Sequence, residues 1–173
     1  IDPNDDRFQN MDRLKPEARK NIVGLQGQLW GETIKGADML EYYTLPKLIG
    51  LAERSWSEDQ WEKMDNPEQR EKSRKYSWNR FASTLTMQEL PRLNYQFGSF
   101  NYRLPMPGAV IENGRLKANI EFPGLTIRYT LDGSEPDTNS TVYNGPVDVG
   151  ESETVKLKAF DKTRNSGRTT VLD

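Results

Sequence analysis

The chain has 173 residues, with Lys+Arg 24 against Asp+Glu 26, a net charge of -2, and neither Cys nor His. The two absences exclude a disulfide framework, a Cys/His zinc site, a Cys nucleophile and a Ser-His-Asp triad. The near-balanced charge argues against a nucleic-acid partner, which needs a basic excess or stripe.

The chain opens on Ile1 with no charged-then-apolar leader and reads as a piece of something longer. Residues 1–20 are polar, a loop that ends in a short helix with Pro16 in its first turn. Asn21 to Trp30 reads as a strand. Gln26, Gln28, Trp30 and Glu32 share one parity and Leu25 and Leu29 the other, so one face is polar and aromatic and the other aliphatic. A helical region follows. Asp38 is placed to cap a segment with Met39, Leu40, Tyr42 and Tyr43, and Pro46 to open the next helix. Leu48, Ile49, Leu51, Ala52 and Trp56 recur at helical spacing. Ser57 and Gln60 match a capping box before Trp61. Asn66-Pro67 opens a long charged helix with the stripe Trp78, Phe81, Ala82 and Leu85, which Leu90-Pro91 ends. Its run Glu71-Lys72-Ser73-Arg74-Lys75 is a solvated face.

From Asn101 the pattern turns to β. The stretch Tyr102–Gly108 reads as a stiff, Pro-rich joint. Strands are expected over 109–111, 116–122, 126–131, 142–149, 154–160 and 169–172, spaced as in a small antiparallel sandwich. Asp132-Gly133 reads as a hairpin turn, since Asp132, Glu135 and Asp137 miss the EF-hand spacing, and no metal site is expected. No stretch approaches the ~20 apolar residues of a membrane span. Apolar content is only 34%, yet four Trp, seven Tyr and six Phe supply large buriable surfaces, so folded domains with polar loops are expected.

Three segments together resemble the C-terminal portion of glycoside hydrolase family 20, the β-N-acetylhexosaminidases. Residues 22–32, IVGLQGQLWGE, resemble the family's last barrel strand, which ends in Leu-Trp-x-Glu. Residues 45–57, LPKLIGLAERSWS, resemble its final barrel helix, and residues 101–108, NYRLPMPG, its exit into a C-terminal domain. The run Tyr129-Thr130-Leu131-Asp132-Gly133-Ser134-Glu135-Pro136 is similar to the immunoglobulin-like C-terminal domain of the bacterial chitobiase type. Lys47 stands where Arg is usual, and Gly31 where Thr or Ser is common.

The resemblance implies an α+β chain: residues 1–100 as the last strand and helices of a (β/α)₈ TIM barrel, and residues 101–173 as an antiparallel immunoglobulin-like β-sandwich. A whole barrel needs roughly 250 residues, so the family's catalytic Asp-Glu pair falls outside this chain and no catalytic residue is assigned in it. It implies that Trp30 lies against the terminal sugar and that Glu32 accepts hydrogen bonds from its hydroxyls. The residues agree, since Trp30 and Glu32 share one face at the C-terminal end of the expected strand, where barrel sites are built. A lone Trp-x-Glu would read more simply as a core Trp and a solvated carboxylate, and the flanking motifs favour the sugar. Gln26 and Gln28 read as satisfying polar groups of the barrel interior, Trp56, Trp61 and Trp78 as core, Tyr42 and Tyr43 as packing, and Glu53-Arg54 as an ion pair or cap.

The expected function is thus the C-terminal portion of an exo-β-N-acetylhexosaminidase, acting by substrate-assisted retention without metal or organic cofactor. The partners implied are N-acetylhexosamine-containing glycans or chitooligosaccharides and the rest of the parent barrel. The implied location is the periplasm, the outer surface or the medium. The alternative is a carbohydrate-binding or structural module without catalysis, carried by residues 101–173.

Overall fold

The structure is a computed structural model that describes residues 15–173, apart from Phe97 and residues 151–153. The polar loop expected at the N-terminus lies largely outside the described residues. The chain is α+β with antiparallel sheets. A 3₁₀ turn at Pro16–Asn21 leads into helices α1 (Gly36–Thr44), α2 (Lys47–Trp56), α3 (Pro67–Thr84) and α4 (Leu90–Leu93). Seven strands follow among the described residues: β1 (Gly108–Glu112), β2 (Arg115–Asn119), β3 (Thr126–Thr130), β4 (Thr141–Val142), β5 (Val147–Asp148), β6 (Val155–Phe160) and β7 (Thr170–Leu172). They form two antiparallel sheets, ordered β1-β2-β5 and β4-β3-β6-β7.

Local chemistry accounts for most boundaries. Asn66 Oδ1 accepts from the Gln69 N–H at 3.0 Å, and Pro67 occupies the first turn where its missing N–H costs nothing. Pro91 does not end the helical run. A π-turn over Leu85–Glu89 shifts the hydrogen-bond ladder ahead of Pro91, which then opens α4. The expected caps earlier in the chain are not made. Asp38 sits inside the first turn of α1, and Trp61 lies in a 3₁₀ turn, Gln60–Lys63, with Asp59 before it and no side-chain cap. Asn113 and Gly114 both have positive φ, 53° and 72°, as the tight β1–β2 hairpin requires.

Two expected strands are corrected. Residues 142–149 divide into β4 and β5, which belong to different sheets, because Pro146 has no N–H to keep a ladder going. The segment Asn21–Trp30 forms no strand. Residues 22–30 are exposed and irregular, since a strand needs a neighbour for its N–H and C=O groups and no described residue supplies one. Asp132-Gly133 lies in the 131–140 connection of the antiparallel β3–β4 hairpin, a long loop in which Gly133 has a φ of 73°.

Two apolar clusters hold the chain. In the β half, Leu116 of one sheet packs with Ile127, Val155 and Leu157 of the other and with Val149. The alternation expected in β6 is present, with Val155, Leu157 and Ala159 buried between Lys156 and Lys158. The second cluster joins the two halves. Leu85, Leu90, Tyr102 and Leu104 are buried together, with Phe81 and Ile49 on the helical side and Phe122 and Leu125 on the β side. Tyr102 and Leu104 of the expected stiff joint are therefore core, while Met106 stays exposed. Trp61 is core as expected, and Trp78 is half-exposed against Phe81 and Phe122. Trp56 is not core; it is 91% exposed at the end of α2, because helical spacing marks a stripe without supplying a partner for it.

Polar bonds reinforce the junction. The buried Asp161 carboxylate accepts from the Tyr102 hydroxyl, from the Thr163 N–H (2.8 Å) and hydroxyl (2.7 Å), and from the Asn165 N–H (3.0 Å). Asn94 donates to Thr163 Oγ1 and accepts from Asn165 Nδ2 at 3.0 Å. The Thr86 hydroxyl donates to the Pro123 carbonyl. Burial, and next the bond to Asp161, push the Tyr102 phenol above its ordinary range.

Two outcomes are expected. Leu104→Ala should destabilise the chain by about 2–5 kcal/mol, as for a buried Leu. Helical circular dichroism and a β-half probe should shift together in denaturant, whereas separate transitions would mean that the two halves fold independently. Tyr102 keeps its proton to higher pH when folded than when unfolded, so its contribution is complete below about pH 10 and is lost as pH rises further. Tyr102→Phe should remove that alkaline loss, measured as Tm against pH.

Candidate functional site

Trp30 and Glu32 lie where the irregular segment meets α1. Gly27 passes so close to α2 that a Cβ there would stand 2.8 Å from Leu51 Cδ2. The segment then emerges with Leu29, Trp30 and Glu32 exposed, Trp30 at 72%. A turn closes with the Ile34 N–H donating to the Gly31 carbonyl at 3.1 Å, and the Lys35 N–H reaches Met39 Sδ at 3.3 Å inside α1. Glu32 has no hydrogen-bond or ion-pair partner among the described residues, and Gln26 and Gln28 are exposed. The site thus offers a bare indole and a bare carboxylate two residues apart. An indole face suits the C–H groups of a sugar ring, and a free carboxylate suits its hydroxyls.

The other candidates are accounted for by packing. Asp132 Oδ1 accepts from the Ser134 N–H (3.0 Å) and hydroxyl (2.6 Å), and Asp137 Oδ1 from the N–H groups of Asn139 (2.8 Å) and Ser140 (2.9 Å). Glu135 takes Lys158 Nζ at 2.5 Å and the Thr169 hydroxyl. These bonds hold all three carboxyls below their usual range: the Ser134 hydroxyl chiefly for Asp132, the Asn139 N–H for Asp137 and the Lys158 ammonium for Glu135. Asp132 and Asp137 are turn-forming acids engaged within their own loop, and Glu135 is engaged by Lys158 of β6 and by Thr169.

Arg54 pairs not with Glu53 but with Glu62 (2.5 Å) and Asp59 (3.3 Å), lying over the Trp61 ring. This cluster borders a half-open cavity of about 310 Å³ between α2 and α3, lined also by Trp78 and Phe81 and not by Trp30 or Glu32. Tyr42 packs edge-on to Tyr43 and under two guanidinium groups, those of Arg103 and Arg168. The arginines over Tyr42 carry no sequence signal, because they come from segments more than sixty residues away. No helix among the described residues is long and apolar enough to cross a membrane.

Comparison with known proteins meets the chain in two consecutive pieces. Residues 3–59 match the family model described as glycosyl hydrolase family 20, catalytic domain, and residues 89–169 match the chitobiase/beta-hexosaminidase C-terminal domain. The chain is 37% identical over 123 residues to N,N'-diacetylchitobiase of Vibrio harveyi, covering 66% of this chain and 14% of that protein. It is 35% identical over 134 residues to a beta-hexosaminidase of Vibrio vulnificus, covering 68% of this chain and 16% of that protein. A beta-hexosaminidase of Porphyromonas gingivalis is 22% identical over 154 residues, 84% of this chain and 18% of its own length. The chain spans less than one-fifth of the length of these curated relatives. Trp30 and Glu32 fall within the catalytic-domain match, and Leu90, Tyr102 and Leu104 of the junction cluster within the other, so the chain belongs to glycosyl hydrolase family 20, as a C-terminal portion carrying the end of its catalytic domain and its C-terminal domain.

Proposed function

We propose that the chain is the C-terminal portion of an exo-acting β-N-acetylhexosaminidase that removes terminal, non-reducing N-acetylhexosamine units from glycans or chitooligosaccharides. In this reading residues 1–100 complete a (β/α)₈ barrel and residues 101–173 form an immunoglobulin-like domain. The observation that carries it is the exposed Trp30 with the unpartnered Glu32, both inside the stretch that matches the family's catalytic domain.

The reaction is substrate-assisted and retaining. The 2-acetamido oxygen of the substrate attacks the anomeric carbon, an upstream Glu protonates the leaving oxygen, and an upstream Asp orients the acetamido group. This chain's own residues bind. Trp30 lies along the terminal ring, and the Glu32 carboxylate accepts hydrogen bonds from its hydroxyls, which an ionised acceptor makes stronger. The rest of the barrel supplies the neighbouring strands that residues 22–30 lack. The parent acts in the periplasm, at the outer surface or in the medium, as the resemblance implies. A free-standing carbohydrate-binding module over residues 101–173 is less well supported, because Tyr102 and Leu104 are buried against Leu85 and Leu90 of the helical half.

The isolated 173-residue chain should show no turnover of a chromogenic N-acetylglucosaminide, and activity at ordinary glycosidase rates would overturn the assignment of catalysis to upstream residues. In the full-length enzyme, Trp30→Ala and Glu32→Ala should each lower kcat/KM by ~10–1000-fold, about 1.4–4 kcal/mol of lost interaction. Unchanged kinetics in both would reject the sugar contact.

A further inference from the structure

Helix α1 starts directly after the turn that carries Glu32, and residues from much later in the chain grip it. The Asn101 N–H donates to Glu41 Oε2 at 2.6 Å, and Asn101 Nδ2 donates to the Asp38 carbonyl at 3.0 Å. The Arg103 N–H donates to the Leu45 carbonyl at 3.1 Å. The guanidinium groups of Arg103 and Arg168 stand 5.9 and 5.7 Å from the centre of the Tyr42 ring, within cation–π range. Asn101 and Arg103 lie in the segment that joins the halves. Arg168 lies between β6 and β7, so the β half itself reaches α1.

The position of Arg168 is fixed on its own side. A Cβ on Gly167 would lie 2.8 Å from the Pro105 carbonyl oxygen and 3.2 Å from that of Leu104. Only glycine lets these two backbones approach so closely, and the Gly167 N–H donates to the Ala159 carbonyl at 2.9 Å. Just before it, residues 161–165 fold around the Asp161 carboxylate, which Tyr102 also engages. The segment carrying Arg168 is therefore pinned to the junction just before it, and just after it the Thr170 hydroxyl donates to the Pro107 carbonyl at 2.6 Å. At its N-terminus α1 follows the turn bearing Glu32 with only Lys35 between, and the N–H of this N-cap residue donates to Met39 Sδ in the first turn of the helix.

We propose that Arg168, seated by Gly167 and Asp161, is a positioning residue for the saccharide end of the catalytic domain: it holds α1 through Tyr42, and α1 holds the turn that presents Trp30 and Glu32. The C-terminal domain thereby takes part in substrate placement without touching substrate. The proposal rests on the sugar-contact reading of Trp30 and Glu32, and the experiment separates the two.

Hydrogen exchange on the 173-residue chain tests the mechanical step with no saccharide present. Arg168→Ala should speed exchange in residues 36–44 by about fivefold or more and leave residues 67–84 unchanged, as expected of a local opening. In the full-length enzyme, with a chromogenic N-acetylglucosaminide, Arg168→Ala should raise KM by ~3–10-fold with kcat within about twofold, a loss of binding rather than of chemistry. Arg168→Lys, which keeps a cation over Tyr42, should recover most of it, and Gly167→Ala should shift KM in the same direction as Arg168→Ala. Wild-type exchange or wild-type KM in Arg168→Ala, while Trp30→Ala and Glu32→Ala are impaired, overturns this proposal alone. A fall in kcat that Lys does not rescue overturns it as well, since that is the mark of general damage. Normal kinetics in both site variants overturns the underlying reading and this proposal with it.

Discussion

The Asp161 carboxylate meeting the Tyr102 hydroxyl above the cluster of Leu85, Leu90 and Leu104 is the contact on which the rest of the chain depends. A buried carboxylate is costly unless its lone pairs are taken up. Here four donors engage it, three of them from its own loop and one from the segment that leaves the helices. The loop is thereby shaped around the same group that fastens it to the helical half. Apolar burial and polar satisfaction reinforce one another at one place. The helical half and residues 101–173 meet through a core, as parts of one folding unit do, instead of through a linker.

That arrangement gives the β half a definite mechanical role. A domain on a flexible tether brings a binding surface near a substrate but does not fix geometry elsewhere. A domain fixed by backbone contact, as at Gly167 against the Leu104 and Pro105 carbonyls, transmits position. The acids of the 131–140 connection serve the same end. Asp132 and Asp137 are engaged in closing their own turns, and Glu135 in pairing with Lys158 across the sheet, so the loop is ordered by its own side chains.

The contrast with residues 22–30 is physical. Leu116 or Val155 finds a partner in a strand encoded within the next few dozen residues. Ile22, Val23 and Leu25 do not, and they stay exposed. An extended segment has no internal hydrogen bonds, so its conformation is set by neighbours. Helices α2 and α3 satisfy their own backbones and form regardless, even where a stripe residue such as Trp56 is left bare.

What the sequence determined by itself was whatever depends on near neighbours and residue chemistry. The Asn66-Pro67 helix start, the alternation of Val155, Leu157 and Ala159 and the exclusion of His and Cys chemistry were all legible in it, and the Asn113-Gly114 pair carries the hairpin signal between β1 and β2. So was the Trp30-x-Glu32 pair as a candidate sugar contact, carried by residue type and by the motifs around it. Only the tertiary structure decided that Tyr102 and Leu104 are core, that Arg54 pairs with Glu62 and Asp59, that residues 142–149 serve two sheets, and that Arg168 rests on Tyr42. Each of these depends on which surfaces meet after the chain has folded back, and burial, ion pairing and sheet membership follow from distance in space, to which spacing along the chain gives no access.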